Sequence, residues 1–154
     1  MASKSLIALL LLPLGCESSI NRTVDDIPPP ALSLVKAGPN LVELRIAGAY
    51  GLRAFQGRLT YDPQAVAVTR IEAGADASRL DRVFFSDPQK TQGSLVVGLS
   101  DTRRVKLPAR GALLRFHLKP AAASASLALE DPLGAIDEGQ RVSLAATRLE
   151  VVLP

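Results

Sequence analysis

The sequence predicts an all-β domain, a sandwich or a barrel, over residues 31–154. Three observations carry this. Apolar residues recur with period two rather than 3.6, turn residues interrupt them at short regular intervals, and helical spacing is confined to one short stretch, Asp76–Arg82. The 124 residues from Ala31 onward are enough for one domain with a real core.

Taken in order, LVELRIAG places Val42, Leu44 and Ile46 on one face and Glu43 and Arg45 on the other. AFQGRLTY sets Phe55, Gly57, Leu59 and Tyr61 inward and leaves Ala54, Gln56, Arg58 and Thr60 outward. The YDP that follows reads as strand end and turn. Pro63 stops ladder pairing, Asp62 bonds its own backbone, and Tyr61 buries its ring while its hydroxyl reaches a partner at the sheet edge. At Asp76–Arg82 a helical turn is expected, with Asp76 as its cap. SLVVGLSD turns Leu95, Val97 and Leu99 inward. ALLRFHLK does the same with Leu114, Phe116 and Leu118, against Arg115, His117 and Lys119. Gly111 is a turn or bulge glycine opening that strand. The last stretch, VSLAATRLEVVL, changes phase between Val142–Leu144 and Leu149–Leu153, which calls for a bulge or a change of sheet near Ala146–Arg148.

Ahead of the domain, Lys4 and the apolar run Leu6–Leu14 have the layout of a secretory signal and are too short to span a bilayer. The run ends at Gly15 and Cys16, the single cysteine, which can close no disulfide within its own chain. Leu12, Pro13, Leu14, Gly15 and Cys16 resemble the lipobox of bacterial lipoproteins, and that resemblance implies removal of residues 1–15 and lipidation of Cys16. ESSINRTVDDIPPP then reads as an extended tether, so that residues 16–30 hold the domain away from a membrane in the bacterial cell envelope. The resemblance leaves the membrane and leaflet open.

Charge and composition exclude several functions. Residues 31–154 carry 16 Lys and Arg against 12 Asp and Glu, without clustering or interleaved aromatics, which argues against a nucleic-acid partner. No metal or cofactor site is expected: there is one His, one Cys and no calcium-loop motif. His117 has no nucleophile placed beside it in a recognisable motif and reads as a surface imidazole. Asp62, Asp87 and Asp101 end strands or sit in turns, where Asx bonding accounts for them. The expectation is therefore a protein without enzymatic activity.

The ordered motifs carry a resemblance of their own. Gly51–Leu52, then GRLTYDPQAVAV from Gly57, FFSDP from Phe84, SLVVGLSD, RGALLRFHLK from Arg110 and the closing ASLALEDPLGAIDEGQRVSLAATRLEVV resemble a cohesin domain. This resemblance implies a jelly-roll β-sandwich of about nine strands. It also implies a protein partner, a dockerin-type module or another envelope protein, docked on one sheet face through the strand ending in YDP. On this chain that strand presents Ala54, Gln56, Arg58 and Thr60. Gly57 stands where the family places a large apolar residue, and Phe55 is expected to fill the space. A carbohydrate-binding module shares the sandwich, so a polysaccharide is the alternative partner. Against it, there is no Trp, and most of Tyr50, Tyr61, Phe55, Phe84, Phe85 and Phe116 fall on the inward phase. A structural lipoprotein subunit is the third reading.

Overall fold

The structure, a computed structural model, describes residues 30–48, 51–103, 105–136 and 140–154. Among these, ten strands form two antiparallel sheets: β1 (Ala31–Gly38), β2 (Leu41–Ala47), β3 (Ala54–Tyr61), β4 (Val66–Ala73), β5 (Arg82–Phe85), β6 (Ser94–Ser100), β7 (Arg110–Pro120), β8 (Ser124–Ala135), β9 (Arg141–Ser143) and β10 (Thr147–Val152). The four-stranded sheet runs β1-β2-β7-β4. The six-stranded sheet runs β10-β8-β3-β6-β5, with β9 also on β8. The leader, Cys16 and nearly all of the tether, together with Tyr50, lie outside the described residues.

The inward sets read from the alternation form the core. Phe55, Phe116, Leu44, Leu59, Leu95, Leu99, Leu114, Leu127 and Leu129 are fully enclosed between the sheets, and the whole core cluster lies between Leu32 and Leu153. A Cβ on Gly57 would stand 3.0 Å from Leu129 Cδ1 and 3.3 Å from Phe55 Cζ. Phe55 thus fills the space left by the glycine, together with Leu129. Gly111 opens β7 at φ +119, a backbone conformation that favours glycine. On one side Leu34 N donates to Thr147 Oγ1 at 3.4 Å and Lys36 Nζ to Val152 O at 2.5 Å, drawing the edges of β1 and β10 together.

Bulges set what the alternation alone does not. β7 carries an extra residue opposite Leu44–Arg45, so Leu113 and Leu114 are both buried. β4 carries one at Thr69, whose hydroxyl donates to His117 O at 3.1 Å, and this shifts burial from Val66 and Val68 to Ile71. The phase change in the closing segment has its origin one strand away. β8 is bulged at Asp131–Pro132, opposite Gly57, and Asp131 sits at φ +47. β9 and β10 stay on β8 in one register, Val142 opposite Gly134 and Leu149 opposite Leu127, and the break at Leu144–Ala146 faces the bulge. There is no change of sheet.

Two local expectations are corrected. The turn after β4 is a single 3₁₀ turn, Ala75–Ala77, with no side-chain cap; Asp76 Oδ2 instead accepts from Ala112 N at 2.8 Å, pinning the turn to the start of β7. The Tyr61 ring is buried, but its hydroxyl makes no hydrogen bond among the described residues.

Candidate functional site

The two sheets differ in what they present outward. On the four-stranded sheet two carboxylates each hold two partners, while Arg110 and Lys119 are exposed without a described acid. Glu43, 6% exposed, accepts from Arg45 at 2.8 Å and from Arg115 Nε at 3.1 Å. Glu72 Oε1 meets His117 Nε2 at 3.0 Å, and its other oxygen pairs with Arg70 at 2.6 Å. The hydrogen bond from His117 holds the Glu72 carboxyl below its ordinary range. His117 is therefore held by a carboxylate rather than merely solvated.

On the six-stranded sheet, β3 lies between β8 and β6 and places Ala54, Gln56, Arg58 and Thr60 on one outward face. Gln56 is exposed and Ala54 half-buried. Thr60 Oγ1 lies 3.5 Å from Ala128 O, a long contact at the limit of a hydrogen bond. Arg58 is occupied within the chain: NH2 meets Asp131 Oδ2 at 2.5 Å and Nε lies 3.6 Å from Glu130 Oε2. The bulge in β8 creates this arrangement by turning two consecutive acids toward the same guanidinium.

Around these four the register assembles residues that sequence reasoning passed over. One row crosses the sheet as Phe84, Gly98, Gln56, Leu133 and Ser143; the next as Arg82, Ser100, Ala54, Ala135 and Arg141. Phe84 is 39% exposed, Leu133 40% and Val96, opposite Arg58, 43%. The Phe84 ring covers Gly98 so closely that a side chain there would collide with it. Between Phe84 and Leu133 runs a trough of about 320 Å³, floored by Ala54, Gln56 and Ala135, with Arg141 at its end. Two adjacent phenylalanines were the available signal, since consecutive strand residues point to opposite faces and both rings cannot be core. Phe85, opposite Val97 at the sheet edge, is also 44% exposed.

A second hollow, of about 380 Å³, lies between β4 and the β5–β6 loop and is lined by Tyr61, Pro63, Val66, Val68, Asp87 and Gln89. The turn carboxylates around the molecule are used locally. Asp62, Asp87 and Asp101 accept from the backbone N–H two residues on, at 2.8, 2.9 and 2.7 Å. Asp101, whose side chain is fully enclosed, also takes the Arg103 guanidinium, which holds its carboxyl down at about 2. Asp81 is lowered by hydrogen bonds from Thr102. No group of three or more His, Cys, Asp or Glu that could hold a metal ion occurs among the described residues.

No family model and no curated relative matches the sequence. Solved structures do match its fold. The sixth cohesin of Acetivibrio cellulolyticus scaffoldin B, determined in complex with a Cel5 dockerin mutant, is 18% identical with a TM-score of 0.65, covering 82% of this chain and all of that one. A cohesin module from a Clostridium perfringens family 33 glycoside hydrolase is 15% identical, with a TM-score of 0.64 over 80% of this chain and 96% of its own. A non-cellulosomal cohesin from the archaeon Archaeoglobus fulgidus is 17% identical, with a TM-score of 0.62 over 81% and 92%. The sandwich described above is a cohesin fold.

Proposed function

Starting from the cohesin fold, we propose that the chain is a membrane-anchored, non-catalytic protein-binding module that docks a dockerin-type or other envelope protein on the outer face of its six-stranded sheet. The observation that carries this reading is the row Phe84, Gln56, Leu133, in which two large apolar side chains stand exposed on either side of β3. Protein interfaces concentrate aromatic and apolar anchors at their centre. Dockerin binding by a structural neighbour of the same fold supports the class of partner. The leader and Cys16 supply the anchor, with residues 16–30 as spacer and residues 31–154 as the binding domain.

The test retains envelope proteins on immobilised residues 31–154 and on a Phe84→Ser/Leu133→Ser variant. A protein held by the first and released by the second, at nearly equal melting temperature, supports docking on this face. Equal retention by both moves the site elsewhere. Retardation in gels containing a soluble polysaccharide, with no protein retained, favours a carbohydrate-binding module instead. For the anchor, a fatty-acid analogue should label the full chain and not Cys16→Ser; equal labelling sinks the lipoprotein reading.

A further inference from the structure

The outward arginines of the six-stranded sheet differ in what they meet. In the half that holds the β8 bulge, Arg58 is paired with Asp131 and Glu130. In the half that holds the trough, Arg82 and Arg141 are both exposed, and neither has a carboxylate partner among the described residues. They end the same cross-strand row, Arg82 on β5 and Arg141 on β9, with the small Ser100, Ala54 and Ala135 between them. Four strand spacings separate them, about 19 Å from Cα to Cα. The adjacent row bears Phe84 and Leu133. Two cations without a described acid thus flank one end of an apolar trough; Arg148 on β10 also has no described acid, but it stands in the row of Thr60, away from the trough.

From this we infer that the partner is acidic: Arg82 and Arg141 are specificity-determining residues that select a protein segment with an apolar centre and carboxylates reaching both ends of the row. The inference rests on the docking reading of this face and adds the sign of the partner's charge. Arginine suits the role because its planar fork takes a carboxylate in two parallel hydrogen bonds and is weakly hydrated. Beside an apolar patch that excludes water on docking, such a pair gains strength from the lowered dielectric. A basic or neutral segment would leave two arginines without partners in the interface, which disfavours it even when its apolar contacts fit.

The experiment displays a library of random peptides to residues 31–154, which contain both sheets and the whole core, and to three variants: Arg82→Glu/Arg141→Glu, Arg82→Lys/Arg141→Lys, and Phe84→Ser/Leu133→Ser. Melting temperatures first establish that each is folded. Wild type is expected to enrich peptides of net negative charge with an apolar centre. The tightest of these, synthesised and titrated, should lose at least tenfold in affinity against the glutamate pair and less against the lysine pair, and weaken as salt rises. If the enriched peptides are neutral or basic, or if the glutamate pair binds them as wild type does while the serine pair does not, the face docks and the charge inference falls. If the serine pair binds as well as wild type, or nothing is enriched, the docking reading falls and takes the inference with it.

Discussion

The outer faces of the two sheets differ in what lies beside their charges. On the four-stranded sheet, Glu43 answers Arg45 and Arg115, and Glu72 answers His117 and Arg70. Arg110 and Lys119 on that face are exposed without a described acid, but the exposed aromatic rings, Phe84 and Phe85, both lie on the other sheet. On the six-stranded sheet, Arg82 and Arg141 have no described acid, and Phe84, Val96 and Leu133 are each about 40% exposed. Such a face is stable as it stands but gains from being covered. The contrast teaches that charges alone do not locate an interface; unmet charges beside exposed apolar side chains do.

The largest effect comes from breaking the seat of the trough. A Cβ at Gly98 would meet the Phe84 ring and would lie 2.6 Å from the Phe55 carbonyl oxygen. The ring can swing away, but the backbone of β3 cannot without opening the β3–β6 ladder. Gly98→Val is expected to cost about 3 kcal/mol, the upper part of the overpacking range, and to lower the melting temperature by about 10 °C. A melt unchanged within 2 °C would show that the trough floor is soft and not a fixed surface.

Next is the four-stranded face. Glu43→Ala leaves Arg45 and Arg115 without their shared carboxylate, and hydrogen bonds to charged groups contribute about 1.5–3 kcal/mol each when enclosed. Both arginines reach solvent, at 46% and 34% side-chain exposure, so a loss of about 1–2 kcal/mol is expected by denaturant titration. Partner retention should be untouched. Loss of the partner with Glu43→Ala would place docking on the wrong sheet.

How much of this was legible beforehand differs between the two faces. Period-two spacing fixed which residues of β2, β3, β6 and β7 point inward, because one buried face leaves alternation little freedom. It therefore also fixed that Ala54, Gln56, Arg58 and Thr60 point out together. What it could not give were the neighbours of β3. Leu133 follows a proline, which argues against strand, yet β8 accommodates Pro132 at a bulge and runs on to Ala135. With that extension hidden, neither the Gln56–Leu133 pair nor the acids beside Arg58 could be placed. Bulges at Leu113 and Thr69 escaped for the same reason: each is set by a partner strand distant in sequence.

Acid sharpens the comparison at the loop after β6. Asp101 has a carboxyl at about 2, against an ordinary 3.8, because Arg103 and its backbone N–H hydrogen-bond the charged form. A depressed carboxylate contributes stability that is fully present above the unfolded value and is lost as pH falls through the folded one. Between about pH 4 and 2 the wild-type melting temperature should fall, and Asp101→Asn, less stable at neutral pH, should show a shallower fall across that window. Glu72 and Asp81 act in the same direction, so some slope remains. Parallel curves for the two proteins would mean that Asp101 is not protonating where its contacts place it.

The smallest effect in stability concerns Arg58, which the outward phase of β3 alone would nominate as the docking cation. Its bridge to Asp131 and Glu130 is exposed, with side-chain exposures of 49%, 77% and 43%, and exposed pairs contribute about 0.2–1 kcal/mol. Arg58→Ala should therefore lower the melting temperature by only a few degrees. Its effect on binding is indirect and has a definite sign. Removing the guanidinium leaves two carboxylates on the same face as the trough, and an acidic partner then meets the repulsion of a charge that Arg58 had offset. Titration of an acidic peptide selected on wild type should show a loss of a few-fold, smaller than that of the Arg82→Glu/Arg141→Glu pair. Adding Asp131→Ala to Arg58→Ala should recover most of it, because the second change removes the charge that the first exposed. If Asp131→Ala restores nothing, Arg58 touches the partner directly, and the docking surface extends beyond the trough to the β8 bulge.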